Sequence, residues 1–127
     1  MKIRIKGNSI RIRLTQSEIA QFGADGKLED CIEFGLEENQ RLTFILLSEI
    51  NAEQVFAKFE DGKIAVIVPR TIVESWTNSE EVGISGKEIL SPEKTLRILI
   101  EKDFTCLVPR TNGNDKDAFP HPNANEK

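Results

Sequence analysis

With 127 residues, 39% of them hydrophobic and 30% charged, the chain suits one ordinary domain or two small units sharing a core, and is too short for a large multidomain enzyme. No apolar run approaches the length needed to cross a bilayer, and the N-terminus alternates charged and apolar residues where a signal peptide would be unbroken, so a soluble, cytoplasmic protein with no membrane partner is expected. The net charge of −4 argues against a polyanion binder, yet Lys2, Arg4, Lys6, Arg11 and Arg13 put five cations and no acid into residues 1–14, leaving −9 for the remaining 113.

The first elements announce themselves by strict alternation. Ile3 and Ile5, then Ile10, Ile12 and Leu14, are interleaved with the basic residues, which predicts two half-buried strands joined by a tight turn at Gly7-Asn8. The apolar side chains share one face of that hairpin and the five cations the other. Thr15-Gln16-Ser17-Glu18 is a capping box that starts a short helix, with Ile19 and Phe22 inward and a stop at Gly23 or Gly26. Two more extended runs follow, about Leu28 to Phe34 and Leu42 to Leu47. The order of the first half is ββαββ.

The second half repeats that order at a fixed shift of 54 residues: Ile10, Ile12 and Leu14 fall on Ile64, Val66 and Val68, Phe22 on Trp76, and Gly7-Asn8 on Asp61-Gly62. The third strands match poorly, Asp30 to Ile32 falling on Ile84 to Gly86 with shifted apolar parity. The expectation is a mainly β (α+β) single domain of two tandem ββαββ repeats, residues 1–54 and 55–109, related by a pseudo-twofold axis. Neither unit alone sustains a core, so the two share a barrel-like interior, closed or nearly so, whose ends the helices plug. Ile3, Ile5, Ile10, Ile12, Leu14, Phe44, Leu46, Phe56, Ile64, Val66, Val68, Ile98 and Ile100 are its expected lining, with Phe22 and Trp76 packed inward. Residues 110–127, rich in Asn, Asp and Pro, are expected to form a flexible tail.

The run Asp61-Gly62-Lys63-Ile64-Ala65-Val66-Ile67-Val68-Pro69-Arg70 resembles the turn-strand-proline segment of AbrB-like swapped-hairpin domains, and both repeats follow that domain's element order. The resemblance implies a fused pseudo-dimer and, since such domains bind DNA through basic residues on the hairpin face, a DNA-binding role. Two departures stand against it: the second hairpin mixes Lys58, Lys63 and Arg70 with Glu60, Asp61 and apolar residues, and the net charge is negative. Met1 to Leu14 and Glu101 to Leu107 are also similar to a family of small uncharacterised bacterial proteins, which implies no function.

No catalytic constellation is legible. The single histidine, His121, lies in the tail, no glycine-rich phosphate loop follows a strand, and the two cysteines, Cys31 and Cys106, lack ligand spacing; a site from Cys106, His121 and nearby acids would need the tail to fold back. Both cysteines are expected to pack as small apolar residues. No enzyme activity, metal or cofactor is expected. Two functions stay open: a regulator in which Lys2, Arg4, Lys6, Arg11 and Arg13, with Asn8 at the turn, hold the phosphates of double-stranded DNA; or a protein-interaction module whose acidic remainder or tail contacts a protein partner, with Phe119 in the tail as an anchor. A third, ligand binding in a groove at the barrel end, has no residue to name for it. The body is a monomeric pseudo-dimer or a homodimer.

Overall fold

The structure, a computed structural model, describes residues 1–103. The tail, Cys106, Phe119 and His121 lie outside the described residues. The chain runs β1 (Lys2–Lys6), β2 (Ser9–Leu14), α1 (Gln16–Asp25), β3 (Lys27–Glu33), a 3-10 turn at Glu38–Gln40, β4 (Arg41–Glu49), β5 (Phe56–Glu60), β6 (Lys63–Pro69), α2 (Arg70–Thr77), β7 (Gly83–Ser91) and β8 (Lys94–Lys102).

Local chemistry sets the boundaries. Gly7 takes φ 57° in the first hairpin turn, whereas Asp61 and Gly62 take φ 51° and 72° in the second. One positive φ at the first central position and two in succession are the primed turns whose twist matches paired strands. The capping box forms: the Thr15 hydroxyl accepts from the Glu18 N–H at 3.3 Å, and the Glu18 carboxylate accepts from the Thr15 N–H at 2.9 Å. Helix α1 ends where Gly26, at φ 73°, donates its N–H to the Phe22 carbonyl. Pro69 precedes the first turn of α2, which needs no donor there.

The eight strands among the described residues form two four-stranded sheets, in the orders β1-β2-β8-β7 and β3-β4-β6-β5. Each sheet joins a hairpin from the first half of the chain to one from the second through a central parallel pair, β2 with β8 and β4 with β6; the other ladders are antiparallel. The inner faces share one core with the helices: Ile12, Leu14, Ile84, Ile98 and Ile100 from the first sheet, Leu28, Leu46, Val66 and Val68 from the second, and Phe22, Val73 and Trp76 from α1 and α2. Phe22 and Trp76 are fully buried, as their inward positions predict. At about 1.5–3 kcal/mol per buried large side chain, this shared core is the main force joining the halves.

The expected barrel does not close. Along one seam the two sheets approach at β5 and β7, but the Ala57 N–H on β5 donates to the Glu88 carboxylate at 2.6 Å, so a side chain takes the place of a backbone ladder bond. Gly86 on β7 lies there against Val55, where a Cβ would come within 2.7 Å of the Val55 Cβ. At the opposite seam the N-terminal ammonium meets the carboxylates of Glu18 on α1 and Asp30 on β3. Three residues also depart from expectation. Phe56, expected inside, shares the outer face with Ile67, because the β5–β6 register puts its neighbour Ala57 on the core side opposite Val66. Ile5, at the tip of the first hairpin, is 60% exposed because the core ends before the turn. Cys31 is exposed on β3, its sulfur 3.6 Å from the Thr43 hydroxyl, because its parity puts it opposite the buried Leu28.

Candidate functional site

Strand parity decides which side chains meet on the solvent face of the first sheet. Ile3, Ile5, Ile10 and Ile12 lie on the core side, so Lys2, Arg4 and Lys6 pair across the ladder with Arg13, Arg11 and Ser9 on the outer side. The parallel ladder places Glu101, Leu99 and Arg97 of β8 beside Arg13, Arg11 and Ser9. Strand β7 completes the rows with Gly83, Ser85 and Lys87. The outer face is therefore a grid of three rows on four strands, about 14 Å each way, carrying seven cations and one acid.

The five cations of the first hairpin are indeed brought to one face, but they are not equivalent. The Arg11 and Arg13 Nε atoms both donate to Oε1 of Glu101, at 2.6 and 3.4 Å. Lys2 pairs with Asp103 at 3.0 Å. The hydrogen bond from Arg11 is the chief reason the Glu101 carboxyl sits below its ordinary range; partial burial opposes it, and the positive charge of Arg11 and the contacts from Arg13 add to the lowering. Arg4, Lys6, Lys87 and Arg97 have no carboxylate partner among the described residues. Asn8 is exposed at the tip, where its side-chain amide donates to the Thr95 carbonyl at 3.0 Å and fastens the turn to β8.

Lys87, Arg97 and Glu101 belong to this face and are absent from the hairpin sequence. They lie some 76–90 positions away from Arg11, and the 54-residue repeat pattern gives no hint of them, since Arg97 falls on Thr43. What could have revealed Glu101 is its parity with Leu99 and Arg97 on a strand whose alternate residues, Ile98 and Ile100, are apolar.

The second sheet has a different outer face. Ile45 and Leu47 of β4 lie beside Ala65 and Ile67 of β6, and Phe56 of β5 pairs with Ile67. Ile67 is buried there without belonging to the central core, and Lys58 lies over the Phe56 ring at 5.7 Å to its centroid. The outer faces of the two sheets thus differ in character, the first cationic, the second an apolar strip along β4 and β6 flanked by Lys58, Glu60 and Lys63.

Among the described residues no group of three or more His, Cys, Asp or Glu side chains is placed to hold a metal ion. No helix among them is long and apolar enough to cross a membrane. Comparison with curated proteins and with solved structures finds no match. The model of a family of unknown function, DUF7009, matches residues 1–123, and the chain belongs to that family.

Proposed function

We propose that this chain is a non-enzymatic regulator that binds the phosphate backbone of double-stranded DNA through the outer face of the first sheet. The observation that carries the reading is the grid of seven cations on four rigid strands, four of them without a carboxylate partner among the described residues. No aromatic side chain is interleaved with them in the paired rows, so the face offers phosphate contacts and no stacking platform, which favours a duplex backbone over unpaired bases. A face about 14 Å long lies along a duplex carrying one charge per ~1.7 Å of axis, both strands counted, so the phosphates on the near side fall within reach of several of its cations.

The proposal extends to architecture: the chain is an AbrB-like swapped-hairpin pair fused into one polypeptide, a monomer imitating a dimer. Its support is the 54-residue offset. Lys2–Lys6 and Phe56–Glu60 are separated by that offset, as are Ser9–Leu14 and the first six residues of Lys63–Pro69. The parallel ladders keep it as well, since shifting the pair Ile12 with Ile100 by 54 in opposite directions gives Val66 with Leu46. Superposing residues 1–49 on 55–103 tests this half of the proposal, which requires a rotation near 180°.

The function is tested by retention of a labelled duplex at about 50 mM salt, where phosphate contacts are strongest. Retention that weakens steeply with salt supports it, and no retention under those conditions rejects it. A second reading, a protein-interaction module without nucleic-acid binding, is favoured by the strip of Ile45, Leu47, Ala65, Ile67 and Phe56 on the outer face of the second sheet. Under that reading Leu47→Lys abolishes partner binding, and under the first it leaves duplex retention unchanged.

A further inference from the structure

The seven cations do not form a uniform lawn. Where β2, β8 and β7 run side by side, the outer face sinks into a concavity of about 500 Å³ lined by Arg11, Ser85, Lys87, Arg97 and Leu99. Its cause is side-chain size: β7 presents only the small Ser85 beside Leu99, so a trough opens there, walled at one end by the Arg97-Lys87 pair and at the side by Arg11. We infer that this concavity is a discrete seat for one phosphoryl group. The inference rests on the backbone-binding reading and adds to it a fixed anchoring point.

Four observations carry it. First, three cations from three strands converge there, so their positions are set by the ladders and by the core beneath, without long flexible loops. Second, Lys87 and Arg97 have no carboxylate partner among the described residues, and the Ser85 hydroxyl has no hydrogen bond there. Third, Arg11 donates to Glu101 through Nε, and its guanidinium carries further N–H donors on Nη that suit a phosphate. Fourth, Asn8 ties the hairpin tip to the Thr95 carbonyl, and the Arg97 N–H donates to the Asn8 carbonyl at 3.1 Å, so the end of the trough is braced before any ligand arrives. Guanidinium groups, an ammonium and a hydroxyl are all donors, and the group they suit is a tetrahedral oxyanion. The lone acid of the grid, Glu101, lies one row away and turns its carboxylate to Arg11 and Arg13.

A phosphoryl group reaches such a seat as part of a nucleic-acid backbone or as a small phosphorylated molecule, and the test separates the two. Inorganic phosphate is titrated into the 15N-labelled full chain at constant ionic strength, with amide and arginine Nε resonances followed, and duplex retention is measured in parallel. Saturable shifts confined to Ser85, Gly86, Lys87, Arg97 and the Arg11 Nε are expected. Lys87→Ala and Arg97→Ala, both exposed substitutions, are each expected to weaken phosphate binding about tenfold while keeping the spectrum of the folded protein. If both variants also weaken the duplex, the seat holds a backbone phosphate. If phosphate saturates the site but no duplex is retained, the seat stands, its ligand is a small phosphorylated molecule, and the proposed function falls. Shifts that fail to saturate, or that spread equally over Lys58, Lys63 and Lys94, overturn the seat even where the duplex is retained.

Discussion

The Arg11 guanidinium donates to Glu101 Oε1 at 2.6 Å across the parallel junction of β2 and β8, linking residues 90 positions apart. The contact joins the first hairpin to β8 and sets the one acid of the outer grid against two of its cations. On the proposed function, it makes the binding strength of this face depend on a carboxylate from the other half of the chain.

Replacing that carboxylate is expected to strengthen polyanion binding. Glu101→Gln keeps the shape and releases Arg11 and Arg13, so duplex affinity rises and the slope of log affinity against log salt steepens by about one unit for each guanidinium that turns to a phosphate. The pair is partly exposed, so the melting temperature should reflect a stability change within about 1 kcal/mol. An unchanged or weaker affinity would contradict the proposed interface.

The unpaired cations and the paired ones are expected to behave differently on truncation. Arg4→Ala with Lys6→Ala removes two exposed groups that have no acid partner among the described residues, so binding weakens, the salt slope falls by about two, and the thermal midpoint holds. Arg11→Ala with Arg13→Ala strands the partly buried Glu101 and lowers stability by about 1–3 kcal/mol in addition. Binding isotherms at several salt concentrations, with a denaturation curve for each variant, separate the two effects.

Two carboxyls give the fold a defined response to acid. For Glu18, partial burial works to raise the carboxyl, but the N-terminal ammonium and the Thr15 N–H outweigh it and leave it below its ordinary value of 4.5. Glu101 is likewise held below 4.5, chiefly by Arg11. Because the folded values lie below the unfolded ones, the stabilisation is fully present above about pH 4.5 and is lost as pH falls through the folded values. A double variant carrying Glu18→Gln and Glu101→Gln, whose side-chain amide at position 18 still completes the capping box, is expected to lose part of the wild-type drop in melting temperature between about pH 5 and pH 2.5.

The seam between the sheets is expected to tolerate no added methyl group on β7. Gly86→Ala drives a Cβ to 2.7 Å from the Val55 Cβ and 2.8 Å from its Cγ1, an overlap that costs about 1–3 kcal/mol. Val55→Ala frees space in the same contact, so the double variant should be less destabilised than the sum of the single ones in a denaturant-unfolding cycle.

Much of the local structure was legible in the amino-acid order. The alternation of Ile3, Ile5, Ile10, Ile12 and Leu14 marks two strands, Gly7 and Asp61-Gly62 mark the turns, and Thr15 with Glu18 marks the start of α1, because each depends on interactions only a few residues apart. The same alternation put Lys2, Arg4, Lys6, Arg11 and Arg13 on one side of the first hairpin. What it could not supply is which strand lies next to that hairpin. Only the parallel pairing of β2 with β8 brought Arg97 and Lys87 to the face and set Glu101 between Arg11 and Arg13. Closure into a barrel was likewise decided outside the local pattern, where the Glu88 carboxylate took the Ala57 N–H and Gly86 met Val55. Hydrophobic periodicity tells a strand which face to bury, but says nothing of its neighbour; that choice falls to the shared core, where the register that best fills the space around Trp76 and Phe22 wins.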